Sequence, residues 1–334
     1  MPFTIEWDSG VSIGNGSERM IFDPRRNNLT HTREIFITHA HFDHSKGFRF
    51  KNCNKISTEE TRKIVATYGI KPNGWQCLPI GGKFETNDIE VISHNSGHVL
   101  GSAIYEITTH EGNIVYTGDL QIKDSFTLKG AEPIYCDILI MECTFGTESF
   151  RFPEREKLAR EMVQWAHDTI MNGKIPTFKA DALGNAQEIT KAFNIYSDLP
   201  VIVHQRTAKI NRVYTENGED LAYFVDGSEE ASELMNSGKC IYITPKNIKL
   251  EEHPEFEPAL VSGWAIWNRK YEKAFALSDH ADFNQLMEYV AECKPKVVLT
   301  CFGGRFNFAF AKKIEKQLGI EARPLDLIPN KFVL

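Results

Sequence analysis

The spacing of apolar residues changes character along the chain. In the opening third, short apolar or alternating runs end at Gly, Asn, Asp or Pro, which predicts strands joined by turns. Strands are expected at Met20 to Phe22, running into Asp23-Pro24, and at Glu34 to Thr38, then at Asp88 to Ser93, Ser102 to Thr108, Asn113 to Tyr116 and Ile138 to Met141. Between them Glu59 to Tyr68 has helical spacing, with Ser57 and Thr58 as possible caps. The pattern describes sheet packed by helices rather than a helical bundle. From Phe150 the texture changes. Pro153 to Met171 predicts a long helix, followed by a strand at Val201 to Val203, a basic helix, and a strand at Ile241 to Ile243. Residues 147 to 258 therefore suit a second α/β domain. The acidic stretch Glu251 to Pro258, broken by two prolines, reads as a link back. Beyond it, Lys273 to Leu277 and Val297 to Leu299 look like strands, Phe283 to Ala291 and Phe308 to Leu318 like helices. No internal repeat or low-complexity tract interrupts this order.

Composition narrows the function classes. At 334 residues there is room for two domains, or for one large core with an insertion. Hydrophobic residues at 42% and charged residues at 25% are those of an ordinary globular protein, neither disordered nor membrane-embedded. The opening residues contain no basic start followed by an apolar run, and no stretch approaches about 18 apolar residues. A cytoplasmic protein without a membrane partner is expected. The seven cysteines form no CxxC pair, which argues against a disulfide framework and a cysteine-built zinc knuckle. With 38 Lys and Arg against 45 Asp and Glu, the formal charge is -7. Wrapping of duplex DNA would usually need a basic surface. An enzyme is less constrained, because bound divalent ions reverse the field where a phosphate must sit.

The densest chemical signal is Thr38-His39-Ala40-His41-Phe42-Asp43-His44. In an extended segment His39 and His41 point to one side, while Asp43 and His44 belong to the following turn and reach a second position. Imidazole and carboxylate suit a borderline ion such as zinc and do not favour magnesium, which prefers oxygen. A polar surface turn is the plain alternative, and a structural zinc site another, although such sites need only four ligands. Further ligands are available in Gly97-His98-Val99-Leu100-Gly101-Ser102 and Thr117-Gly118-Asp119. Taken singly, His98 and Asp119 are ordinary turn residues. Both lie at turns flanked by apolar strands, so a folded sheet can bring them to one rim, where Asp119 could bridge two ions about 3.5 to 4 Å apart.

The series THAHFDH, SGHVLGS, YTGD and MECTFG resembles the metallo-β-lactamase superfamily in its nucleic-acid-processing branch. The segment Leu277-Ser278-Asp279-His280-Ala281-Asp282 narrows the resemblance to the β-CASP nucleases, which include mRNA 3′-end processing factors, ribonuclease J and DNA-repair exonucleases. It covers essentially the whole chain, including Leu183-Gly184-Asn185-Ala186-Gln187-Glu188, which looks like that family's helix start in its inserted domain. The resemblance implies an α/β fold, a metallo-β-lactamase αββα sandwich with an inserted α/β β-CASP domain. Residues 1–146 and 259–334 would form the sandwich and 147–258 the insertion. His39, His41, His98 and Asp119 match the ligands of a first metal, and Asp43, His44 and Asp119 those of a second. Asp43, Glu142 and His280 match residues that carry the chemistry, His280 facing the metals as acid or phosphate contact. Read without the family, Glu142 could simply solvate a strand end and His280 could be a capping residue before the helix that follows. Paired, a carboxylate can orient an imidazole and raise its basicity.

The implied activity is two-metal hydrolysis of phosphodiester bonds in single-stranded DNA or RNA, with zinc as the preferred ion and manganese able to serve. A departure bears on the choice of polymer. RNA-directed members often carry a ligating histidine after the strand that here is Val297 to Leu299, and the matching place holds Cys301. This leans toward DNA, and family precedent toward 5′ to 3′ exonuclease action. A thiolate can also ligate zinc, or Cys301 can be an ordinary buried thiol. Arg206, Lys209 and Arg212 recur every third residue and could face a nucleic-acid backbone, or form a solvated helix face. Trp264 and Trp267 could stack on bases, with core packing expected for at least one. An RNA-processing nuclease, a small-substrate hydrolase, a redox enzyme and a non-catalytic nucleic-acid-binding subunit are the competing classes. A homodimer or a processing complex is compatible with the strand-rich first domain.

Overall fold

The αββα sandwich is built from alternation within its strands. In Ile138–Glu142 every residue is buried. Ile138 and Ile140 face a core between two sheets, while Leu139 and Met141 face a second core under helices. The computed structural model describes residues 2–15, 18–26, 34–250, 254–268, 270–327 and 332–334. One seven-stranded sheet runs in the order Phe332–Val333, Thr4–Trp7, Val11–Gly14, Arg19–Phe22, Glu34–Phe36, Asn54–Ser57, Trp75–Cys77. The other runs Glu321–Pro324, Val297–Cys301, Ile138–Glu142, Gly112–Tyr116, Ala103–Thr109, Ile89–Asn95, Lys83–Glu85. Their facing sides share one apolar core holding Phe22, Phe36, Tyr105, Tyr116, Ile140 and Leu299. The outer face of the second sheet packs on the helices Phe283–Cys293 and Phe306–Leu318. Ile138–Glu142 lies between parallel neighbours on both sides, where a nearly continuous apolar run is the expected sequence.

The chain divides into two compact units, one of Met1–Lys123, Lys129–Arg151 and His280–Leu334, the other of Asp124–Leu128 and Phe152–Asp279. The second unit is a six-stranded, wholly parallel sheet, in the order Phe224–Val225, Val201–Val203, Ile241–Pro245, Ile175–Ala180, Phe256–Val261, Lys273–Phe275. The expected return at residue 259 shifts to His280, because Phe256–Val261 and Lys273–Phe275 extend this parallel sheet. The prolines do not interrupt this sheet. Pro258 sits in register with Thr177, but pairing on its other side begins only at Ala259, so the missing N–H breaks no ladder there. Of the expected acidic link, 251–253 lie outside the described residues, and Phe256 opens a strand instead.

Gly184, at φ +89°, opens the helix Asn185–Tyr196 at the predicted LGNAQE start, and its N–H donates to Gln187 Oε1 at 2.7 Å. The first turn is tied to the preceding helix, Arg155–Met171, by a two-pronged pair of Arg155 with Glu188, at 3.1 and 3.0 Å. Arg206, Lys209 and Arg212 are all exposed along the helix Gln205–Glu216. Trp264 and Trp267, 44% and 40% exposed, face one another at 5.9 Å, so neither has entered the core. Among the described residues no helix is long and apolar enough to cross a membrane.

Candidate metal centre

The strand Glu34–Phe36 runs into the histidine motif, so a buried sheet carries the first ligand candidates at its end. His39 is fully buried, and its Nδ1 lies 3.0 Å from Thr38 Oγ1. Close approach of two turns completes the wall. Gly118 has φ +55°, and a Cβ there would lie 2.7 Å from Thr38 Cβ, so only glycine lets the Asp119 turn pass this close. Gly97, at φ +70°, plays the same part before His98, since a Cβ would meet Gln121 O at 2.2 Å.

Donor atoms of His39, His41, His98 and Asp119 all lie within 4.8 Å of one another, as do those of Asp119, Glu142 and His280. Asp119 divides its oxygens between two sides. Its Oδ2 is 3.4 Å from His39 Nε2, 3.6 Å from His98 Nε2 and 3.7 Å from His280 Nε2. Its Oδ1 is 3.4 Å from His44 Nε2, which in turn is 3.5 Å from Asp43 Oδ2. Among the described residues the wholly buried Nε2 of His39 has no well-aligned hydrogen bond, only the Asp119 carboxylate at 3.4 Å. A buried unpaired imidazole nitrogen is costly unless something fills the space, and three imidazoles with a carboxylate form a donor set suited to zinc. The residues present thus fit a divalent ion.

The electrostatics follow from dense packing. Burial drives the His39 pKa down to about 4, reinforced by charge on His44. Burial also opposes charge on His44, but Asp119 and Asp23 outweigh it and hold that pKa up at about 9. At Asp119 burial is likewise overcome, and electrostatic attraction to the surrounding imidazoles, His44 first, with a contact from His39, holds the carboxylate well below its ordinary range. Asp43, despite partial burial, is lowered by His44. It remains the most open of the group, its side chain 58% exposed and 3.4 Å from Arg25 Nη2.

Glu142 is fully buried rather than solvating a strand end, and His280 is not the helix cap. Glu142 Oε1 lies 2.7 Å from His280 Nδ1 and accepts from Leu120 N–H, while Oε2 accepts from Thr144 N–H. The cap of the helix Phe283–Cys293 is Asp282, whose side chain accepts from Gln285 N–H at 3.0 Å. Cys301 faces the inter-sheet core. Its thiol donates to Met141 O at 3.3 Å, burial holds its pKa well above the usual value, and the converging donor groups among the described residues do not include it.

Three neighbours escaped the sequence reading. Asp23, read as a turn residue, is buried at φ +48° and accepts from Thr38 N–H, Thr38 Oγ1, Tyr116 Oη and His44 Nδ1 at 2.7 to 2.8 Å. Phe302, also at positive φ (+59°), stacks on His44 with ring centres 4.6 Å apart. The Arg25 guanidinium lies 4.7 Å from the centre of the Phe302 ring. The Asp-Pro after an apolar strand was the one available signal for Asp23. Asp23→Asn, which keeps the shape and removes the anion, is expected to weaken zinc affinity about 10- to 100-fold. It should also cost about 1–3 kcal/mol of stability, because a donor then faces an amide N–H₂. Competition with a chelating dye and urea unfolding measure the two effects; unchanged zinc affinity would remove Asp23 from the centre.

No family model matches the chain. A relative named probable DNA ligase, from Opitutus terrae, is 28% identical over 301 residues, covering 87% of this chain and 28% of that protein. An RNase J-like protein from Methanocaldococcus jannaschii is 24% identical, with 86% of this chain and 85% of that one covered. The chain spans 28% to 66% of the length of the first three relatives it matches. In three dimensions it is similar to the crystal structure of a protein of unknown function from Enterococcus faecalis V583, at TM-score 0.70 and 16% identity with both chains fully covered, a likeness of fold. With its motifs, its sandwich interrupted by a parallel-sheet unit, its converging His and Asp donors and these relatives, the chain is related to the metallo-β-lactamase superfamily through the β-CASP nucleases.

Proposed function

We propose that the chain is a metal-dependent nuclease that hydrolyses phosphodiester bonds of single-stranded nucleic acid. The observation that carries this reading is the division of Asp119 between two groups of donors, beside a histidine held by a buried carboxylate. His39, His41, His98 and Asp119 would hold one ion, and Asp43, His44 and Asp119 a second. Two such ions, zinc or manganese, would supply Lewis acidity toward a phosphoryl oxygen and lower the pKa of water. The protein supplies the remainder. Asp23 fixes the ring of His44, and Glu142 fixes the ring of His280, whose Nε2 is directed toward Asp119 and can hold the phosphate or donate a proton to the leaving oxygen. Exposed Asp43 can accept a proton or orient a water at the open side.

Within this reading we favour DNA, cut from its 5′ end. The probable DNA ligase relative supports DNA, as does a buried Cys301 where RNA-directed relatives often place a ligating histidine. The RNase J-like relative, matched over most of its length, supports RNA as the second reading. Single-stranded DNA and RNA, each labelled separately at either end, decide between them when product ladders are followed with zinc or manganese. Stepwise 5′ loss from DNA is expected, and its absence from a His39→Ala/Asp119→Ala variant. Preferential RNA cutting or discrete internal products would replace the DNA or exonuclease assignment. No cutting of either polymer by metal-loaded protein would favour a binding subunit.

A further inference from the structure

Phe42 stands between His41 and Asp43 in the metal-site motif, yet it is 60% exposed, whereas His39 and His44 are buried. An aromatic ring left in water forgoes its burial, so its setting matters. Two cations from the following 3-10 helix, Ser45–Arg49, flank that ring, Lys46 Nζ at 5.3 Å and the Arg49 guanidinium at 5.4 Å from its centre. Arg49 also lines a cavity of about 760 Å³. Its other walls include Lys51, Lys71 and the 42% exposed Tyr68, and among the described residues no Asp or Glu lines it. The buried ammonium of Lys55 is already committed, donating to the carbonyls of Cys53 and Asn73 at 2.9 and 2.6 Å, and so fixes the wall. In a chain of net charge -7, cations and exposed rings here gather in a basin that among the described residues has no carboxylate in its lining, next to the metal motif.

Aromatic platforms for bases, interleaved with cations for phosphates, are how single strands are held without regard to sequence. We propose that this face is the track on which a single nucleic-acid strand continues from the metal centre. A base stacks on Phe42, one phosphate meets Lys46 and Arg49, and the next nucleotide enters the basin at Tyr68, Lys51 and Lys71. The proposal rests on the nuclease reading and names the substrate contacts of the same site. It favours a nucleic acid over an acidic protein because the first ring of the track belongs to the metal-site motif itself.

The test is equilibrium binding, by fluorescence anisotropy, of labelled single-stranded oligo-dT and oligo-rU of about twelve nucleotides, a length that spans the track. The full chain is used, with EDTA present so that nothing is cut. Phe42→Ala is expected to raise the dissociation constant about tenfold, while Phe42→Trp binds within about threefold of the parent and its fluorescence is quenched by the oligonucleotide. Replacing Arg49 and Lys71 by Ala should each flatten the slope of log K against log salt by about 0.7, the loss of one phosphate contact. The tighter polymer identifies the preferred sugar. Variants that bind like the parent overturn the track, as does a poly-glutamate chain that displaces the oligonucleotide as well as unlabelled strand does. Product ladders separate the two readings: cutting with unaltered binding in the variants removes the track alone, and the expected binding losses without any cutting remove the nuclease reading alone.

Discussion

Asp119→Ala is expected to lower kcat on single-stranded substrate by about three orders of magnitude or more, the size expected when several kcal/mol of metal-assisted stabilisation are lost. The carboxylate belongs to both donor groups, with Oδ2 toward His39 and His98 and Oδ1 toward His44. Losing it should therefore disturb both ions rather than one. Bound zinc, counted by atomic absorption after gel filtration, should fall below the parent's content by more than it does in Asp43→Ala, which touches one side only. Full zinc content with full activity in Asp119→Ala would dismiss the shared-ligand arrangement. The alanine variant also leaves His39 without the carboxylate beside its Nε2, while His44 keeps Asp23, and urea unfolding shows whether lost activity is simply lost folding.

His280→Ala should behave differently, losing about 10²- to 10⁴-fold in kcat while retaining the parent's zinc content. His280 contacts the donor group through Asp119 at 3.7 Å but is anchored from behind by Glu142. On the proposed reading Glu142 would act as a positioning residue, since its carboxylate is fully buried and spent on His280 and on the N–H groups of Leu120 and Thr144. Glu142→Gln should cost less than His280→Ala, and the double variant should be no worse than His280→Ala alone, because the two residues act as a unit. Additive losses would show that Glu142 serves the fold or the metals by another route. Loss of zinc from His280→Ala would move the histidine from the chemistry into the ligand set.

The residues outside the motifs change how the centre should be regarded. The His44 ring is pinned on one nitrogen by Asp23 and covered on one face by Phe302, which is itself held at positive φ and covered by Arg25. Backbone strain at two neighbouring residues persists only where the surroundings over-determine it, and here those surroundings are Thr38, Tyr116, His44 and Arg25. The support of the centre is thus unequal. His44 is backed on two sides, whereas Asp43 stays exposed to solvent.

Much of this was readable along the chain because it depends on local pattern. The runs ending at His39, His98 and Asp119 declared themselves as apolar strands with polar turns, and strand ends in a sandwich share a rim. The histidine and carboxylate types in those turns announced a metal, and the family motifs joined Glu142 and His280 to them. What the chain could not show was anything decided by contacts across many residues. Asp23 meets Tyr116 ninety-three positions away, and in sequence it is only a residue before a proline. Cys301 and Phe302 are adjacent, but the backbone turns the thiol into the inter-sheet core and the ring onto His44. The acidic, proline-broken stretch read as a link holds the start of a strand, because pairing with Ile175–Ala180 outweighs local propensity. Local period and residue chemistry set the elements and the ligand types; long-range packing alone decided which carboxylate backs which histidine, and which aromatic ring was left in water.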